Sequence, residues 1–197
     1  FDRYLSGGGF PEYLKFLDHG YLKRIYDDIL FRDIISRFGI REVKGFRQLV
    51  HYLFTNTANP ASYNALKNSL GFKSVASVRD YVGFLEEAYL IFEIFRYDFS
   101  LKKQYVNEKK LYGIDTGMRN AVAFRFSDDN GRILENLVLI ELLRRGASVF
   151  FFKNPKECDF ITEERGKITG ANQVCYELSR ENREREIGGL AGAMAVH

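Results

Sequence analysis

Residues 154–160 read "NPKECDF" and follow the apolar run Val149-Phe150-Phe151-Phe152. Two acids, Glu157 and Asp159, alternate with Cys158 and Phe160 where the chain is otherwise most apolar. Successive side chains of a strand point to opposite faces, so Glu157 and Asp159 share one face and Cys158 and Phe160 the other. Strands are expected at 147–153, 157–162 and 172–178, with the polar loop "EERGKITGAN" between the last two. Before them "RILENLVLIELLRRG" reads as a helix stopped by Gly146, and after them a helix is expected over 180–195. The second half thus reads helix–strand–strand–strand–helix.

In that register Gln173, Cys175 and Glu177 share a face of the third strand. Pairing it with the second would bring Asp159, Gln173 and Glu177 together. The preceding helix offers Glu135 at the start of its apolar face, whereas Glu141 reads as a solvated residue. Carboxylates and an amide converging at a sheet edge are the donor types that suit Mg²⁺. Such an ion polarises a phosphodiester and acidifies bound water. The bland alternative is that alternating acids face solvent.

Upstream, Leu22, Ile25, Tyr26, Ile29, Leu30, Ile34, Ile35 and Phe38 recur at helical spacing over 21–38, and Gly39 ends the run. A second helix is expected at 46–56. A third is expected from Asn59-Pro60, with Asn59 as cap, running to Gly71. Ser74 is expected to cap a fourth, "SVASVRDYVGFLEEA". Then come the alternating "YLIFEIFRYDF", a basic turn "SLKKQYVNEKK" and a short strand "LYGID". Three helices and a two-stranded hairpin in this order suggest a winged helix-turn-helix over 41–114. Residues 1–40 read as a helical linker and 115–197 as a second domain. Asp115 and Thr116 are expected to cap the short helix that follows.

A recognition helix at 74–87 would present Arg79 as its strong base-reading side chain, with Lys73 just before it. The wing would carry Lys102, Lys103, Lys109 and Lys110 toward phosphates. Asp80, Glu86 and Glu87 oppose this electrostatically. Winged helices also serve as protein-binding modules, and charges on a hairpin also guard a solvated edge.

A net charge of +3 in 197 residues is only mildly basic and does not by itself call for nucleic acid. Two cysteines make neither a disulfide framework nor a zinc set, so Cys158 and Cys175 are expected as thiols. His19, His51 and His197 show no ligand spacing. There is no signal peptide and no apolar run of membrane-spanning length, so a cytoplasmic location without membrane contact is expected. No G-x-x-x-x-G-K-[ST] occurs, and "SGGGFP" lacks the Lys-Ser/Thr of a phosphate loop, so this chain should not bind ATP. The start at Phe1 and the end "GLAGAMAVH" read as cuts from a longer protein.

The acidic pattern resembles the PD-(D/E)XK nuclease-like fold. That resemblance implies Glu135 as the helical acid, Asp159 as the central acid and Gln173 as the third ligand of a Mg²⁺ site. The position that the family gives to Lys, two beyond Gln173, is Cys175, which does not stabilise developing negative charge in the same way. The order of "GGFPE" (8–12), "YDDILFRDII" (26–35), "SVRDYVGFLEEAYLIFEI" (77–94), "KLYGIDTGMRNAV" (110–122), "ENLVLIELLRRG" (135–146), "ECDFI" (157–161) and "QVCYELSRENREREI" (173–187) resembles the C-terminal half of prokaryotic AAA+ superfamily ATPases. The resemblance implies an α+β chain: a winged helix-turn-helix, then a restriction-endonuclease-like α/β domain. It implies an upstream P-loop ATPase domain, where ATP would bind, and a further strand beyond His197. The implied function is an accessory region binding double-stranded DNA or a protein partner, with an inactive nuclease-like domain. A metal-dependent endonuclease and a self-association platform remain open.

Overall fold

The computed structural model describes residues 1–123 and 130–195. Asp128, Asp129, the His19 side chain and His197 lie outside that description. In chain order come α1 (Asp2–Gly7), α2 (Pro11–Phe16), α3 (His19–Asp28, continued as a π-helix over Ile29–Ser36), α4 (Val43–Thr55), β1 (Pro60–Ala61), α5 (Tyr63–Leu70), α6 (Val75–Glu87) and β2 (Ile91–Phe95). Then follow α7 (Leu101–Val106), β3 (Lys109–Gly113), α8 (Thr116–Val122), α9 (Asn130–Arg144), β4 (Ser148–Lys153), β5 (Glu157–Glu164), β6 (Lys167–Asn172) and α10 (Arg183–Met194). The class is α+β: helices mixed with two three-stranded sheets, ordered β1-β3-β2 and β4-β5-β6.

The chain divides into two compact units. Unit 1 is Phe1–Glu93 with Leu111–Asp128, and unit 2 is Ile94–Lys110 with Asp129–His197. The chain leaves unit 1 within β2 and returns within β3. Segment 94–110, read from sequence as part of the winged helix, therefore goes with unit 2.

In unit 1, the apolar faces of the helices close on one core. Tyr26, Leu30 and Ile34 of the first long helix meet Phe46, Leu49, Val50 and Leu53 of α4 and Val78, Val82 and Leu85 of α6. Phe38 stacks on Phe84 with ring centroids 4.0 Å apart. The Ser74 side chain accepts the Ser77 N–H at 3.0 Å and starts α6 as expected. The third helix starts later than expected. Pro60 and Ala61 form β1, and Ser62 caps α5 by accepting the Ala65 N–H at 3.1 Å. Proline lacks an N–H but is tolerated at a sheet edge, and β1 lies at the edge of its sheet. A serine in extended conformation two residues on supplies the cap. Asp115 caps α8, its Oδ1 accepting from Met118 N at 2.8 Å, while Oδ2 accepts from Gly9 N at 2.6 Å.

In unit 2, β4 and β5 pair antiparallel with Phe150 opposite Ile161 and Lys153 opposite Glu157. β5 and β6 pair antiparallel with Ile161 opposite Ala171 and Glu164 opposite Lys167. The third strand is therefore 167–172, not 172–178. The stretch "EERGKITGAN", expected to be a loop, is mostly hairpin. Arg165 and Gly166 sit at φ 54° and 79°, the positive-φ pair of a two-residue turn whose twist matches the strands. That turn sets the register at the hairpin tip, an irregularity between Thr162 and Glu163 shifts it, and β6 ends at Asn172, before Gln173. The basic "SLKKQYVNEKK" is likewise not a simple turn, since it carries α7. α10 lies on the sheet, burying Ala193 with Phe152, Cys158 and Ile161. Gly189 allows this approach: a Cβ there would stand 2.0 Å from the Glu157 carbonyl oxygen.

Candidate functional site: a lysine among three carboxylates

Unit 2 gathers its acids at one point. α9 contributes Glu135 and β5 contributes Glu157 and Asp159, whose shared face follows from strand alternation. Between them lies the ammonium of Lys110. Its Nζ is 2.8 Å from Glu135 Oε1, 2.8 Å from Glu157 Oε1 and 3.3 Å from Asp159 Oδ1. The Lys110 side chain is 2% exposed, and its Nζ lies 5.6 Å from the centroid of the Phe151 ring.

Burial works against the charge on Lys110, but Glu135, Asp159 and Glu157 outweigh it and raise its pKa. The ammonium therefore stays protonated across the physiological range. Burial raises the Asp159 pKa, opposed by Lys110 and by the Val174 N–H. That N–H donates to Asp159 Oδ2 at 2.9 Å.

Gln173 sits beside this cluster. Its Oε1 accepts the Asp159 N–H at 3.3 Å, and its Nε2 donates to Glu186 Oε2 at 2.6 Å. Arg185 Nε donates to Glu186 Oε1 at 3.0 Å. The amide thus links Asp159 to α10. Glu177 is not among the groups bonded to Asp159. Cys175 follows β6 instead of lying on it, and its Sγ is 3.0 Å from the Glu177 carbonyl oxygen. Glu141 is held on the surface of α9 by Arg144 and Arg145.

Among the described residues, no group of three or more His, Cys, Asp or Glu side chains is arranged to hold a metal ion. The reason is visible in the geometry. One oxygen of each acid is directed to Lys110, and the Gln173 amide is committed to Asp159 and Glu186. The trio Glu135, Asp159 and Gln173 is local to one place, but as arranged it does not fit Mg²⁺.

Sequence reading placed Lys110 on a solvated wing with Lys109, and the structure corrects both. Lys109 is 2% and Lys110 1% exposed. Lys109 Nζ donates to the carbonyls of Tyr105 and Asn107. The usable signal was the alternation of the strand, which puts neighbouring lysines on opposite faces and so buries at least one. Among the other cations, Lys73 and Arg79 are exposed in unit 1, and Lys102 and Lys103 are exposed on α7 in unit 2. Glu87 pairs with Arg37. Glu86 accepts the Glu93 N–H at 3.1 Å, and burial raises its pKa. Two of the three acids counted against α6 as a nucleic-acid surface are thus already engaged.

No helix among the described residues is long and apolar enough to cross a membrane. No solved structure matches the chain. An uncharacterized protein of Methanocaldococcus jannaschii, MJ1544, is 37% identical over 203 residues, covering 94% of this chain and 44% of the relative. An uncharacterized protein of Haemophilus influenzae is 28% identical over 194 residues, covering 94% of this chain and 48% of the relative. The chain thus spans slightly less than half the length of these curated relatives. The model of a domain of unknown function, DUF8612, matches residues 1–129. That range contains Lys110 but none of the three acids around it. With about two thirds of its length matched by that model, the chain belongs to the DUF8612 family.

Proposed function

We propose that this chain is a non-cleaving, nucleic-acid-binding region of a larger protein of the AAA+ type. The observation that carries the reading is Lys110. Its ammonium occupies the point where the acids of unit 2 converge, which is where a nuclease-like site would need a divalent ion. The acids are answered by a fixed protein cation, and unit 2 serves as a folded platform. The order helix, three antiparallel strands, helix supports a nuclease-like ancestry for this unit, with Glu135, Asp159 and Gln173 as its remnant. The helices α4, α5 and α6 with the sheet order β1-β3-β2 support a winged helix-turn-helix, in which α6 is the recognition helix. In unit 1 the candidate duplex contacts are Lys73 and Arg79; unit 2, taken by itself, offers Lys102 and Lys103. Relatives more than twice as long leave room for an ATPase domain, where ATP would bind.

The test is a labelled duplex titrated with the chain at about 50 and 200 mM salt, where phosphate contacts lose much of their strength. A plasmid is incubated in parallel with the chain and Mg²⁺. Binding that weakens steeply with salt and with Arg79→Ala, without nicking, supports the reading. Absence of binding at about 50 mM salt removes DNA as the partner and turns attention to a protein partner or self-association. Nicking that disappears in Asp159→Ala would replace the reading with a metal-dependent endonuclease.

A further inference from the structure

A second feature lies in unit 1, in a cavity of about 1090 Å³ walled by α3, α4, the end of α5 and the end of α8. No residue of α6 lines it, so the recognition-helix reading does not use it. Clefts of roughly 300–1,000 Å³ ordinarily bury most of a small-molecule ligand. Three cations, Lys23, Lys44 and Arg47, line this one against a single acid, Asp27. Among the described residues none of the three cations forms a salt bridge. That contrasts with Arg24, Arg32 and Arg37 nearby in sequence, each of which has a carboxylate partner. Arg47 is braced instead on the Phe31 ring, 5.4 Å from its centroid, which orients the guanidinium and leaves its N–H fork without an anion.

The rest of the lining is of a different kind. His51 and Tyr52, both half-buried, present planar rings, and Gln48 presents an exposed amide. Rings for stacking, an amide for the edge of a base and several unanswered cations for phosphates are the complement of a nucleotide. We propose that this cavity binds a free nucleoside polyphosphate. Lys23, Lys44 and Arg47 take the phosphates, and His51 and Tyr52 take the base. The number of cations favours a di- or triphosphate over a monophosphate, and their grouping at one cleft favours a free nucleotide over a strand, whose backbone is tracked by cations spread along a groove. The chain then carries a nucleotide-binding site separate from any catalytic P-loop, against the expectation, drawn from the missing P-loop motif, that it binds no ATP.

The experiment is isothermal titration of the whole chain with ATP at about 50 mM salt, with EDTA present so that no metal contributes. Saturable one-site binding is expected. Lys44→Ala and Arg47→Ala should each weaken it about tenfold or more, the size of a lost charge-assisted contact. Lys23→Ala is the reserve variant if either unfolds, checked by thermal melting. No ATP binding, or binding untouched by these substitutions, overturns the proposal. Inorganic tripolyphosphate binding as tightly as ATP overturns the nucleotide assignment. A short single-stranded oligonucleotide outcompeting ATP at the same residues overturns the free-nucleotide assignment.

Discussion

Lys110→Met isolates the contact that defines unit 2. Methionine keeps most of the aliphatic stem and removes the ammonium, which stands 5.6 Å from the Phe151 ring centroid. Glu135 and Asp159 are 12% and 10% exposed, so both lose their counterion in a poorly solvated place. Glu157 is 31% exposed and regains water more readily. Removing one partner of a buried ion pair costs about 3–5 kcal/mol, a large share of the roughly 5–15 kcal/mol that holds a typical domain. The loss should depend on pH, with a definite sign. The Lys110 pKa is raised in the folded protein, so its contribution is whole below the unfolded value of about 10.4 and fades only as pH rises through the folded one. Asp159 is also raised, by burial, so the folded state holds its proton more tightly than the unfolded chain. Ionising it costs folding free energy as pH climbs from about 4. Without Lys110 that cost grows. The deficit of the variant should be smallest at the acid end, near the unfolded carboxylate range, and should grow as pH rises toward neutrality. Urea unfolding followed by circular dichroism at three pH values measures it, and adding Glu135→Gln should recover part of the loss. A deficit below about 1 kcal/mol, or one equal at every pH, would refute the account of a buried, charge-balanced cluster.

Glycines give a paired expectation. Gly8 sits at φ +73° with a hypothetical Cβ 2.2 Å from Asp115 Oδ1, so Gly8→Ala should cost unit 1 more than about 1–2 kcal/mol in thermal or urea unfolding. Gly83 lies inside α6 with nothing within 4 Å of a Cβ, so Gly83→Ala should stabilise by about 0.5–1 kcal/mol. Gly189→Ala would press a methyl to 2.0 Å from the Glu157 carbonyl oxygen. It should loosen α10 by about 1–3 kcal/mol, visible as faster amide exchange in β5 and α10. Burial pushes the Cys158 thiol up to about 11, whereas Cys175 is half-exposed. Iodoacetamide at about pH 8 should therefore modify Cys175 first in the native protein and both thiols after unfolding, read by mass spectrometry.

Local chemistry was legible along the chain. Ser74 and Asp115 were readable as caps because a short polar side chain before an apolar-periodic run has few better uses. The common face of Glu157 and Asp159 followed from strand geometry alone, and Glu135 from its place at the start of an apolar helix. Tertiary structure decided what periodicity leaves undetermined. The turn at Arg165-Gly166, with its two positive φ values, set where β6 begins, and pairing that ran out at Asn172 left Gln173 and Cys175 beyond the strand. Edge pairing drew Pro60 out of the helix that its type would have opened. Lys110 was decided last of all. A lysine in a basic run looks solvated because burying an ammonium is costly, and only three carboxylates converging from α9 and β5 make that burial tolerable. No local pattern contains those partners, the nearest of which, Glu135, lies 25 residues further along the chain.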